Sequence, residues 1–212
     1  MTNPEPDNGT TRDDLLQRVA LMEAMIAEGR RSTTRHGWIF VLWGLIYLAP
    51  MGWQLAVPHS EWVSTWAWPV CIALGAALTV VGKAMQSREH GRRRSIQCRS
   101  VEAVWIMMGV TITLYFVTAM VRHFTWQLSY AAAILMFVGM AHAISALILR
   151  WRVQGLVAGI WWMGGVATFF ASHRNQVYLI FAGAAFFGMI LFGLYAMILE
   201  RRRAAGAEQD HA

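Results

Sequence analysis

Among the Asp, Glu, Lys, Arg and His residues of this chain, only His142 lies deep within a long apolar run, about one turn inward of the run's centre. An imidazole there could carry a proton or hold a ligand, because its charge changes near neutral pH and ionisable groups in apolar segments are functional candidates by default. Its helical neighbours Gly139, Ser145 and Ala146 are small, so the ring is expected to face another helix. Counting back through a short turn puts it near the level of Trp105, about a turn from Glu102, the spacing a relay through these two would use. The plainer reading is a neutral imidazole hydrogen-bonded to a neighbouring helix. On that reading His142→Gln keeps more stability than His142→Leu, which leaves a polar group without its partner.

Three more sets of residues merit the same question. His59, His123 and His173 sit one in each of three short connections and would form a metal site if those connections converged. Short polar turns often contain histidine and need not approach one another, and no HExxH, CxxC or paired-histidine helical spacing supports a metal at the depth of His142, so no metal or other cofactor is expected. Arg92, Arg93 and Arg94 form a basic run suited to anionic lipid headgroups. Nucleic acid is disfavoured as their partner because no nucleic-acid-binding pattern surrounds them. Thr111, Tyr115 and Thr118 share a helical face, with Tyr130 near their level, and such hydroxyls bond their own helix or bridge an interface. Paired carboxylates at mid-depth are absent, which speaks against a carboxylate-driven proton pump, and no catalytic residue is assigned.

What must position these residues is a membrane. The 212 residues are 57% hydrophobic and 14% charged, against about 45 to 50% and about 25% in soluble domains. Six apolar runs recur, roughly Gly37 to Val57, Trp62 to Gly82, Val101 to Val121, Gln127 to Leu149, Val153 to Ala171 and Val177 to Leu199. Runs of about 20 residues at about 1.5 Å per residue cross a hydrocarbon core of about 30 Å. Backbone groups in lipid must bond internally, so each run is expected to be a helix, and the period-two alternation of a barrel is missing. The expected fold is all-α, a polytopic bundle of six transmembrane helices in three hairpins. Gly155 with Gly159, and Ala184 with Gly188, place small residues on one face and predict close helix contact. Pro50 and Pro69 are expected to kink the outer half of the first hairpin, the first place to look for a small-molecule site. A faint three-hairpin repeat, carried by Gly44, Gly109 and Gly164, is also within reach of shared composition alone.

The net charge of +6 has a topological explanation. Arg12, Arg18, Arg30, Arg31 and Arg35 precede the first run, and Lys83, Arg88, Arg92, Arg93, Arg94 and Arg99 lie between the second and third. Arg150 and Arg152 separate the fourth and fifth, and Arg201, Arg202 and Arg203 follow the sixth, leaving Arg122 and Arg174 on the other side. Positive flanks stay inside, so a multi-pass protein of the cell's inner membrane with both termini cytoplasmic is expected. Cys71 and Cys98 fall at different depths and are expected to be reduced thiols. A long polar stretch precedes the first run, so that run is expected to act as its own insertion signal.

That polar stretch carries Leu15, Val19, Met22 and Ile26 at four-three-four spacing, the seam of an amphipathic helix over residues 12–35, with Thr11 and Asp14 resembling a capping box. The seam is expected to lie on the membrane, on the inner face of the bundle, or against a protein partner or second copy. The expected division is a tail over 1–11, this helix over 12–35, a transmembrane domain over 36–201 with a basic loop at 83–100, and a tail over 202–212. Such a chain is expected to be non-enzymatic, a regulatory or assembly partner or a sensor of lipid or a small ligand. A small transporter or channel is the alternative, and a membrane-embedded enzyme comes third.

Overall fold

A computed structural model describes residues 8–57, 61–89, 96–121 and 128–209 of the chain. Helices account for 95% of these residues, and none of them is in a strand. In chain order the helices are α1 (Asn8–Arg35), α2 (Gly37–Ala56), α3 (Glu61–Glu89), α4 (Ile96–Val121), α5 (Leu128–Leu149), α6 (Arg152–Thr168), α7 (Arg174–Ala185) and α8 (Phe192–Gln209), with a π-helical segment, Phe186–Leu191, joining the last two into one rod. Each of the six apolar runs is helical over most of its described residues. Among the described residues four segments are long and apolar enough to cross a membrane: Trp66–Gln86, Ile96–Val121, Tyr130–Leu149 and Arg174–Arg203. At 17 residues α6 is only about 26 Å long. Pro50 and Pro69 lie inside α2 and α3 without ending either helix.

Element ends differ from the sequence expectations. Helix α1 is already formed at Asn8, ahead of the expected start at residue 12, and α8 runs to Gln209 through residues expected to be a tail. The most extensive pairing is α5 on α6, two helices the hairpin scheme assigns to different units.

That pairing depends on a tight reversal at Arg150, whose φ of 49° lies in the left-handed region where glycine is the usual occupant. Trp151 N–H donates to Ala146 O at 2.9 Å, closing the end of α5. The Arg30 guanidinium then supplies what the turn lacks: Nε donates to Leu149 O at 2.6 Å and a terminal nitrogen to Arg150 O at 2.9 Å. A cation on the last carbonyls of a helix also complements its dipole. Arg30 thus ties α1 to the α5–α6 turn, and Thr34 Oγ1 ties it to α8 by donating to Glu200 Oε2 at 2.8 Å.

Only the last third of α1 is held in this way. Gly29, Thr33 and Thr34 are buried, whereas Leu15, Val19 and Met22 are 57, 48 and 51% exposed and Ile26 is half-buried. The apolar seam does not pack on the bundle, which removes one of its three expected resting places. The docking face is instead one of small residues, and a Cβ at Gly29 would come within 2.6 Å of Leu149 Cδ2.

The core is built by α2, α5, α6 and the α7–α8 rod around Phe40, Tyr47, Leu135, Val138, Trp161 and Met189. Half of the α5 span and 44% of the α7–α8 span is buried, against 6% for α3 and for α4, so α3 and α4 form the periphery. Packing is closest where α2 crosses α8. A Cβ on Gly37 would sit 2.8 Å from Gly193 O, and one on Gly193 would sit 2.7 Å from Gly37 O, so the two backbones touch. Among the glycines singled out from the sequence, Gly188 receives the buried Trp161 ring, where a Cβ would meet Nε1 at 2.3 Å, and Ala184 packs on Gly164. Gly155 and Gly159 do not mediate close contact. Open space surrounds the Cβ direction of Gly159, and Gly155 has only Ala146 at 3.8 Å.

At the far end from the arginines, Arg174 Nε donates to Tyr178 OH at 2.6 Å and Tyr178 OH donates to Gln54 Oε1 at 2.7 Å, joining α7 to α2. Gln176 Oε1 accepts the backbone N–H groups of Ser172 and His173 at 2.7 and 3.3 Å, which starts α7.

Candidate functional site

His142 is fully buried, turned toward three other helices as its small neighbours suggested. Its ring meets Trp105 of α4 edge-on at 4.9 Å, Phe40 of α2 at 5.7 Å and Phe192 of α8 at 5.7 Å. The expected hydrogen bond to a neighbouring helix is not there: neither ring nitrogen has a partner among the described residues, and the same holds for buried Ser145 and Gln154. The walls around His142 are the aromatic rings of Phe40, Trp105 and Phe192, and Trp105 Nε1 is likewise buried with no hydrogen-bond partner among the described residues. The level of Trp105 agrees with the sequence count.

Two of those walls, Phe40 and Trp105, also line a cleft of about 770 Å³ between α2, α3 and α4. That lies within the range of about 300 to 1,000 Å³ that small-molecule sites occupy. Helix α2 contributes Phe40, Trp43 and Tyr47, and α3 contributes Pro69, Ile72, Ala76 and Thr79. Helix α4 contributes Trp105, Met108, Gly109 and Ile112. The cleft exists because α3 packs on α2 and α4 packs on α5, leaving the α3 and α4 surfaces apart along most of their length. On this wall Trp43 Nε1 donates to Thr79 Oγ1 at 3.1 Å and that hydroxyl donates to Gly75 O at 2.7 Å, whereas Trp105 Nε1 is buried with no hydrogen-bond partner among the described residues. What the wall presents is apolar surface.

One end is different. Ser32, Thr33 and His36 from the end of α1 line the cleft at the Arg-rich end of the bundle, together with Cys98. There Lys83 Nζ on α3 donates to Glu102 Oε1 on α4 at 2.6 Å, bridging the two walls. His36 Nδ1 lies 2.6 Å from Ser32 O. A carbonyl only accepts, so that nitrogen carries the hydrogen. An apolar channel with an ion pair and hydroxyls at one end has the polarity of an amphiphile. No family model, curated protein or solved structure matches this chain. The reading of the cleft therefore rests on its own chemistry.

The other sequence candidates are placed as follows. Arg92, Arg93, Arg94, His59 and His123 lie outside the described residues. His173 is exposed at the start of α7. Thr111 and Thr118 are exposed, Thr111 Oγ1 donates to Met107 O of its own helix at 2.9 Å, and Tyr115 stacks on Tyr130 at 5.2 Å and 14°. Neither Cys71 nor Cys98 is in a disulfide. Of the two prolines singled out in the first hairpin, Pro69 lines the cleft and Pro50 is buried away from it, and the cleft continues past Pro69 to the Arg-rich end. Sequence reasoning missed Lys83 as a partner for Glu102. The available signal was an acid and a base at equal depth, flanking one loop from opposite sides.

Proposed function

We propose that the chain is a six-span protein of the inner membrane with both termini in the cytoplasm. It acts without catalysis, holding a membrane lipid or similar amphiphile in the cleft and communicating occupancy by contact, as a sensor or regulatory partner. The observation that carries this reading is the cleft itself, apolar along α2, α3 and α4 and polar at the end capped by α1. The distribution of arginines supports the orientation, with the polar end of the cleft inside. Helix α1 supports the regulatory part, since its docked end borders the cleft while Leu15, Val19 and Met22 stand exposed for membrane or protein.

Reporter fusions after Arg94 and at Ala212 are expected to be cytoplasmic, and an external signal at either position removes the six-span topology. Occupancy is tested at Cys98, which lines the cleft. In the Cys71→Ala background, maleimide labelling of Cys98 is expected to slow when membrane lipid is returned to delipidated protein. An unchanged rate over a saturating lipid range counts against a ligand in the cleft.

A transporter is the second reading, favoured by one observation: buried His142 stands directly behind Phe40 and Trp105, which line the cleft. Substrate flux into liposomes that disappears on altering His142 would place this reading first.

A further inference from the structure

Followed from Thr34 back to Glu28, helix α1 changes neighbours. It meets Glu200 on α8, then Leu149 and Arg150 at the end of α5, then Gln97 and Cys98 in the first turn of α4. A helix running alongside one rod would keep that rod as its neighbour, so α1 lies across the helix ends at the Arg-rich side of the bundle. Helix α4 belongs to the periphery, and residues 12–24 of α1, beyond it, are exposed. The part from Asn8 to Ile26 is about 28 Å long. At about 100° per residue, Leu15, Val19, Met22 and Ile26 project within about 30° of a single line along α1, and Gly29 and Thr33 fall within about 50° of the same line. The free seam therefore continues the face that is already docked on the bundle end. Past α4 that face overlooks the lipid around the bundle at the depth of the headgroups. The charges are sorted to match: Arg12 and Arg18 lie about 50 to 70° to either side of the line, and Asp13, Asp14 and Glu28 lie more than about 100° away from it. Glu23 alone of the four acids sits on a flank, and Arg18 neutralises Asp14 at 2.9 Å.

We infer that the outer part of α1 lies flat on the cytoplasmic leaflet, with Leu15, Val19 and Met22 at the boundary of headgroups and acyl chains and with Arg12 and Arg18 reaching the lipid phosphates. The acids on the far face remain in water, away from the anionic surface that would repel them. A short seam suffices, because the bundle already holds α1 at the interface and the contact forms at high effective concentration. This inference rests on the topology proposed above, which puts the α1 end of the bundle at the cytoplasmic surface, and it is independent of what fills the cleft.

The test places one spin label at a time on the full chain, in a Cys71→Ala and Cys98→Ala background, in nanodiscs of phosphatidylethanolamine and phosphatidylglycerol. Val19→Cys reports on the seam and Ala24→Cys on the opposite face, and both positions are exposed, so neither label disturbs the bundle. Collisions are measured with oxygen, which concentrates in hydrocarbon, and with a water-soluble nickel chelate. The ratio of oxygen to chelate collisions is expected to be several-fold higher at Val19→Cys than at Ala24→Cys, and to fall to the Ala24→Cys level when Met22→Asp is added. Equal ratios at the two sites, or a ratio at Val19→Cys that Met22→Asp leaves unchanged, overturn the inference. A Val19→Cys label shielded from both reagents also overturns it, since a protein then covers the seam, and dipolar broadening between labels identifies that protein as a second copy. Arg201→Cys, exposed near the end of the bundle, separates this inference from the topology beneath it. Its label is expected to meet the chelate, and a label there that meets oxygen instead removes the proposed topology itself.

Discussion

Gly193→Leu is expected to yield no assembled bundle, and Gly193→Ala to lower stability by about 1 to 3 kcal/mol, the range for overpacking a close contact. The reason is that no flexible group can move aside. A single Cβ at this position meets Gly37 O at 2.7 Å, Val41 Cγ2 at 2.7 Å and Val41 N at 2.9 Å, so two of its three nearest neighbours are backbone atoms of α2. Relief requires α2 and α8 to separate, which also disturbs Phe40 against Phe192 at 5.0 Å and Thr34 against Glu200 at 2.8 Å. In lipid, helices associate largely through such close packing, since hydrocarbon surface is no better buried in protein than in the bilayer. Gly183→Ala is the matched control, because a Cβ there meets nothing within 4 Å. Thermal unfolding in detergent checks the pair. A Gly193→Ala protein that melts with wild type contradicts the backbone contact at this crossing.

His142→Leu is expected to melt at or above the wild-type temperature, with His142→Gln no more stable than wild type. Burying a polar group without a hydrogen bond costs about 1 to 3 kcal/mol, and both imidazole nitrogens are in that position. Leucine removes both and still packs on Phe40, Trp105 and Phe192. The opposing loss is the edge-to-face ring contact with Trp105 at 4.9 Å, worth about 0.5 to 1.5 kcal/mol. Glutamine keeps a buried donor and acceptor and gives up the ring, so it loses on both accounts. This reverses the order expected from sequence, where a helix partner for the imidazole was assumed. A His142→Leu protein several degrees less stable than wild type would mean that a hydrogen bond to His142 has gone uncounted. Stability retained together with lost activity marks His142 as a functional group.

The six helical segments were legible because a 20-residue apolar run is a property of composition, insensitive to which face goes where. Burial of His142 was legible for a similar reason, since Gly139, Ser145 and Ala146 leave room on one side. Gly139 receives Trp162, where a Cβ would lie 2.5 Å from the ring, and Ser145 is fully buried. What resisted reading were relations between helices. The seam of Leu15, Val19 and Met22 satisfies the helical period, yet α1 docks through Gly29, Thr33 and Thr34, small residues whose role appears only once Arg30 meets the α5–α6 turn. Gly155 and Gly159 have the spacing of a contact motif but no helix opposite Gly159, whereas Gly37 and Gly193 touch from segments 156 positions apart, beyond any local pattern. Lys83 and Glu102 were visible singly, and their pairing across the cleft depends on how far α3 and α4 diverge.

Retention of lipid by wild type and Gly109→Trp tests the central claim most directly. Gly109 lines the cleft and has open space beyond its Cα, so a large side chain there occupies the site without disturbing the core. Purified under identical mild conditions, the wild type is expected to carry stoichiometric phospholipid through purification, and Gly109→Trp to carry little, with equal melting temperatures in the lipid-free state. Equal lipid retention by the two proteins, both folded, would contradict the account of this chain as a protein that holds an amphiphile between α2, α3 and α4.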